Sequence, residues 1–156
     1  MRRFPPSRIV CLTEETVKTL YFLGEQDRIV GVSGYVVRPP EARREKPHVS
    51  AFISADIPKI LALEPDLVFI FSDLQAEIAA ELIRAGVAVH AFNQRDIASI
   101  LAMIRTVGAL VGASDRAEAL ARRCEARLAG IVAATRGRPR PKVKESEDLK
   151  VAAFLD

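Results

Sequence analysis

Residues 67–71 read LVFIF, five apolar side chains in succession that stop abruptly at Ser72-Asp73. Successive side chains of a strand point to opposite faces. A run without polar alternation therefore needs apolar cover on both sides. Parallel sheets sandwiched between helices provide that cover, whereas an antiparallel sheet with one wet face does not. Three further runs have the same character: RIVCL at 8–12, RIVGVS at 28–33 and VAVHAF at 87–92.

Helical periodicity fills the intervals. After the first run, Thr13 is expected to cap a helix whose first turn holds Glu14 and Glu15, favourable at the positive end of the helix dipole. Val17, Leu20 and Tyr21 form its apolar stripe, and Gly24 closes it. A short helix is expected from Asp56 to Leu63, and another over residues 73–85, capped by Asp73, with Ile78, Ala79 and Leu82 facing inward. A longer one spans 95–111, and Ser114 opens a last helix running to about Thr135. At 1.5 Å per residue, some 20 residues would reach about 30 Å, longer than the sheet it would pack on. From Gly34 to Ala55 the pattern dissolves. Pro39, Pro40 and Pro47 argue against regular structure, and a loop of that length in a compact domain is often functional.

Alternating strands and helices with short turns give an α/β class: a four-stranded parallel sheet flanked by helices, a single Rossmann- or flavodoxin-like lobe with a long C-terminal helix. The 156 residues suit one domain, and the net charge of +3 is small. Much of the basic excess crowds into Arg136, Arg138, Arg140, Lys142 and Lys144, so nucleic-acid binding by the globular part is not expected. Cys11 and Cys124 read as core residues, and a disulfide between them has no support in the sequence. His48 and His90 lie near neither cysteine, so no zinc spacing exists. No run is long enough to cross a membrane, and MRRFPPSRIVCLTEE lacks the apolar segment of a signal peptide.

Ligands of open α/β sheets bind beyond the carboxyl ends of the strands. That rule selects Thr13-Glu14-Glu15, Ser33-Gly34-Tyr35, Ser72-Asp73-Leu74 and Phe92-Asn93-Gln94. Thr13 and Asp73 are each explained as helix caps. Tyr35, beside Gly34 on the Pro-rich loop, could cover a planar ligand or merely pack on the loop. Glu14 and Glu15 are adjacent in a helix and do not face one another, which disfavours paired acid-base work. No GxGxxG, GxxxxGK[ST] or GxSxG motif is present, so an enzyme is not expected.

Read as a whole, RIVCLTEETVKTLYFLGEQDRIVGVSGY, RPPEA, PHVS, ILALEPDLVFIF, LIRAGVAVHAFN and IRTVGALVGASDRAEALARR resemble the N-terminal lobe of the periplasmic cobalamin and ferric-siderophore binding proteins of ABC importers, the class with a rigid helical backbone between two lobes. The resemblance covers residues 8–135 and implies non-covalent binding in a cleft between lobes, with residues 114–135 as the connecting helix. It implies ligand contacts from Thr13, Glu14, Glu15, Tyr35, the 50–54 stretch including Phe52, and Phe71, Ser72, Asp73 and Leu74. It also implies that an acidic residue, by position Glu77, docks on basic residues of an importer permease. The PP pair after the second strand leans toward cobalamin. A ferric siderophore is an alternative ligand, and haem another, with Tyr35 as an axial oxygen. No intrinsic cofactor is implied.

The resemblance makes the location periplasmic, although the chain shows no signal peptide and reads as cytoplasmic if taken as it stands. Residues 136–156 are expected to be a truncated or replaced start of a second lobe, with Lys142-Val143 as a candidate first strand. An uncovered apolar helix face then invites homodimerisation. The competing reading of the same elements is a small cytosolic flavodoxin-like enzyme or regulatory module.

Overall fold

The computed structural model describes residues 4–138. The tail from residue 139 onward, with its expected strand start at Lys142-Val143, lies outside the described residues. Five strands and six α-helices follow in order: β1 (Ile9–Cys11), α1 (Glu14–Phe22), β2 (Ile29–Ser33), α2 (Pro40–Glu45), β3 (His48–Ser50), α3 (Ile57–Ala62), β4 (Leu67–Phe71), α4 (Ala76–Arg84), β5 (Val89–Phe92), α5 (Ile97–Leu110) and α6 (Ser114–Thr135). The chain divides into two units, residues 1–125 and 126–156, so the first unit holds the whole sheet and α6 continues into the second.

The sheet is parallel throughout, in the order β3-β2-β1-β4-β5. The chain starts in the centre, winds outward to β3, then crosses back over β1 to lay down β4 and β5. Alternate side chains of the central strands enter two separate cores. Ile9, Cys11, Leu67 and Phe69 pack with α1, α5 and the first turns of α6, whereas Val10, Leu12, Val68 and Ile70 pack with Ile60 of α3 and Ile78 and Leu82 of α4. This two-sided burial is the physical reason for the unbroken LVFIF run. Phe69 is fully buried, and truncating such a ring to alanine costs about 3–5 kcal/mol.

The parallel α/β class stands, but the sheet has one strand more than the four expected. The Pro-rich segment is only partly irregular, since it holds α2 and β3. Pro40 sits at the start of α2, where its missing N–H costs nothing and its fixed φ suits the helix. Pro47 precedes the edge strand β3, and its carbonyl accepts from Val32 N at 2.9 Å. Proline is tolerated at such an edge because no ladder N–H is needed there.

Helix starts divide between expectation and correction. Asp56 caps α3 by accepting from Lys59 N at 2.9 Å. Asp96 caps α5 in a reciprocal capping box with Ser99. Thr13 occupies the N-cap position of α1 but makes no side-chain capping bond. Asp73 is not a cap. Ser72 takes that role for a single 3-10 turn, Asp73–Gln75, that leads into α4. The reason is backbone geometry: Ser72 at φ 55°, ψ −175° turns the chain sharply out of β4 and aims its own hydroxyl at Leu74 N, 3.3 Å away.

Two close contacts fix the helical layer. Gly108 of α5 lies so near α6 that an added Cβ would stand 2.2 Å from Ala117 Cβ. Arg105 of α5 grips Glu118 of α6 through two bonds, Nε to Oε2 at 2.6 Å and a guanidinium nitrogen to Oε1 at 3.3 Å. At the other end of the sheet, Asp66 accepts from Ser7 N, Ser7 Oγ and Arg8 N at 2.8–3.0 Å, which seats the chain for its entry into β1.

Candidate ligand-binding site

The carboxyl ends of β1 and β2 open into a cleft of about 400 Å³ lined by Leu12, Thr13, Glu14, Glu15, Lys18, Ser33, Tyr35 and Phe52. Its floor is made by residues that leave the strands, and its rim by two aromatic side chains. Tyr35 is 66% exposed and Phe52 38% exposed, so both rings are open to contact from the cleft side.

The Tyr35 rim is held from both sides. Ser33 is buried, and its hydroxyl accepts from Tyr35 N at 3.3 Å, while Gly34 N donates to Ser50 O at 2.8 Å. Val36 then dives into the core, so the ring of Tyr35 is left projecting outward. Beyond it, Glu14 Oε2 accepts from Val37 N at 2.8 Å and from Arg38 N at 3.3 Å. Glu14 therefore clamps the loop to the start of α1, while its neighbour Glu15 is exposed. The two carboxylates have different partners, as expected for adjacent helical positions.

The Phe52 rim is anchored from below by Gln75, which is fully buried. Its Nε2 donates to Phe52 O at 2.8 Å and to Leu12 O at 3.3 Å, and its Oε1 accepts from Phe71 N at 2.9 Å. Sequence reading missed this residue. The signal was available: Gln75 precedes Ile78 by three and Leu82 by seven, so it is in phase with the buried stripe, and a polar side chain there needs internal partners.

The expected residues do not all share one place. Thr13, Glu14, Glu15, Tyr35 and Phe52 line the cleft together. Phe71 instead borders a neighbouring groove of about 440 Å³ between α1, α5 and α6, whose walls include Phe22, Ile100, Met103 and Leu120. Glu15 and Lys18 belong to both, and Gln94 Oε1 is buried at the groove wall without a partner. The groove is the more apolar of the two, with Glu15, Lys18, Thr19 and Gln94 as its polar lining. Ser72 is buried. Asp73 pairs with Arg95 at 3.5 Å on the surface, where Arg95 also stacks over the Phe71 ring at 5.6 Å. Leu74 is 54% exposed beside them, and Glu77 is exposed in the first turn of α4.

Nothing in this arrangement resembles an activated nucleophile. Burial pushes the Cys11 thiol up to about 12, against a smaller opposing effect of its bond with Thr16, so it stays protonated beneath the cleft. Cys11 and Cys124 are both free. Among the described residues no group of three or more His, Cys, Asp or Glu side chains is placed to hold a metal ion, and no helix is long and apolar enough to cross a membrane.

Residues 9–144 match the family described as periplasmic binding protein. The chain belongs to that family. Its fold agrees, since the periplasmic heme-binding protein RhuT from Roseiflexus sp. RS-1 superposes with a TM-score of 0.78 at 27% identity, over 86% of this chain and 52% of that one. A cobalamin-binding protein of Halobacterium salinarum is 27% identical over 128 residues, covering 81% of this chain and 35% of its own. An ABC transporter substrate-binding lipoprotein of Bacillus subtilis, YvrC, is 26% identical over 130 residues, covering 81% and 41%. This periplasmic binding protein chain thus spans well under half the length of those two relatives. The family and these neighbours are binding proteins rather than enzymes. Nothing in the comparisons supports the expected homodimerisation.

Proposed function

We propose that residues 8–135 form one lobe of a solute-binding protein for an ABC-type importer, and that its ligand is cobalamin or a related metal chelate held without covalent chemistry. The observation that carries this reading is the cleft at the carboxyl ends of β1 and β2, rimmed by exposed Tyr35 and Phe52 and floored by Thr13 and Ser33. Its open, aromatic-edged form suits a large ligand face laid against it, with van der Waals contact over broad area and few fixed polar contacts. The named activity of the Halobacterium relative supports a corrinoid. The names of the Bacillus relative and of the family support a permease partner and a periplasmic location.

The 22-residue helix α6 is then the connector that leads from this lobe toward a second. Glu77, exposed at the start of α4, is the acidic contact for basic permease residues. Asp73 and Leu74 supply the outer border of the ligand edge, with Phe71 and Ser72 behind them.

Haem is a second reading, favoured by Tyr35, an exposed phenol on the cleft rim that would supply an oxygen to a haem iron, and by the heme-binding name of a structural neighbour. Absorbance titration with aquocobalamin, haemin and a ferric siderophore separates the ligands. The chain fused to the second half of a relative should bind one of them with saturation. Absence of binding to all three by that fusion would remove the proposal.

A further inference from the structure

We infer that Gln75 is the positioning residue of the ligand edge: one buried side-chain amide sets Phe52 and the ends of β1 and β4 in fixed relation. Gln75 is fully buried, and its bonds run to three segments far apart in sequence: Leu12 O at the end of β1, Phe52 O in the loop after β3, and Phe71 N at the end of β4. A glutamine amide offers two N–H donors and an acceptor oxygen. Both donors are used here on carbonyls and the oxygen on an N–H, so the side chain satisfies three backbone groups that no ladder bond reaches. Aspartate, asparagine or serine could not span the same three points, and glutamate would set an oxygen against two carbonyls.

The placement explains why the bonds matter for recognition. The strand order reverses between β1 and β4, the place where an α/β sheet opens a crevice beyond its strand ends. Gln75 fills that crevice. The turn that delivers it depends on Ser72, whose φ of 55° with ψ of −175° lies in a region other L-residues rarely occupy. A costly backbone conformation at the strand end is thus coupled to a buried amide that fixes the cleft wall. With the crevice closed, the accessible surface moves outward to Tyr35 and Phe52, and the ligand class it fits is a broad, flat-faced chelate rather than a small anion. The statement about ligand rests on the binding role proposed above; the statement about geometry does not.

Amide hydrogen exchange on the full chain tests the geometry. Gln75→Met keeps the volume and removes all three bonds. Exchange at the Phe71 amide, which donates to Gln75, should then rise about ten-fold more than at residues 30–32 of β2, which report global opening. An equal rise everywhere would reduce Gln75 to an ordinary core residue and overturn the inference. If Gln75→Met does not fold, Gln75→Asn, with the same groups on a shorter stem, serves for the same comparison. The second arm titrates wild type and folded variant, each fused to the second half of a relative, with aquocobalamin and with haemin. Whichever probe the wild type binds should bind the variant about ten-fold more weakly, and unchanged affinity would overturn the positioning role. Failure of the wild type to bind either probe counts against the proposed function, and the exchange arm still decides the geometry.

Discussion

Glu14 holds Val37. The carboxylate in the first turn of α1 accepts the backbone N–H of Val37 at 2.8 Å, with Arg38 N at 3.3 Å beside it, so a helix start and the loop after β2 move as one piece. Replacing Glu14 with alanine should cost about 1 kcal/mol of stability and free the Tyr35 rim. Urea denaturation checks the first effect. Chymotryptic cleavage after Tyr35, faster in the variant than in wild type, checks the second.

Tyr35 presents the opposite combination. Its ring is largely exposed, so Tyr35→Ala should change stability by less than about 0.5 kcal/mol. Ligand affinity should fall by about five-fold or more, as expected when an aromatic contact is removed from a binding rim. A thermal melt paired with the aquocobalamin and haemin titrations measures both. Tyr35→Phe separates the two ligands: it should spare a corrinoid and weaken haem.

The contact between α5 and α6 leaves no room for a methyl group at residue 108. Gly108→Ala would place Cβ 2.2 Å from Ala117 Cβ, and overpacking of this kind costs about 1–3 kcal/mol. The double variant Gly108→Ala with Ala117→Gly should recover much of that loss, read from the shift in the denaturation midpoint. The GALVG segment carries this requirement in its first glycine.

Glu64 follows the end of α3 at φ 47°, in the left-handed region that glycine occupies without strain. Glu64→Gly should therefore stabilise the chain by about 0.5–1 kcal/mol. A lower melting temperature for the variant would contradict the strain argument.

Asp66 ties stability to acid. Hydrogen bonds from Ser7 N, then Ser7 Oγ and Arg8 N, together with the nearby Arg8 charge, hold its carboxyl below the usual range against the opposing effect of burial. The folded-state value is depressed, so its contribution is fully present above the unfolded value of about 3.9 and is lost as pH falls through the lower folded value. Asp66→Asn should flatten the stability curve below about pH 4 while leaving its shape near neutrality unchanged. Denaturation midpoints measured across the acid range test this.

Much of the fold was legible because period and punctuation agreed. LVFIF and the glycines that end helices each had a single physical explanation. The edge strand β3 was not legible, since three prolines masked a helix start and an edge position that both tolerate proline. The cleft was half legible. Thr13, Glu14, Glu15 and Tyr35 meet as the strand-end rule implies and Phe52 joins them, but Phe71 turns toward another groove and Asp73 to the surface. Gln75 escaped although its phase with Ile78 and Leu82 was visible, because its partners at residues 12, 52 and 71 become neighbours only once the chain has folded.

The reversal of strand order between β1 and β4 gives the lobe a natural mouth, and a glutamine side chain is lodged in it. A mouth stopped in this way cannot swallow a ligand; it can only offer a cheek. Half-grips of this kind hold by area, so tight retention requires an opposing surface, and release requires only that the two part. For a lobe with the binding role proposed above, that is a favourable way to be shallow.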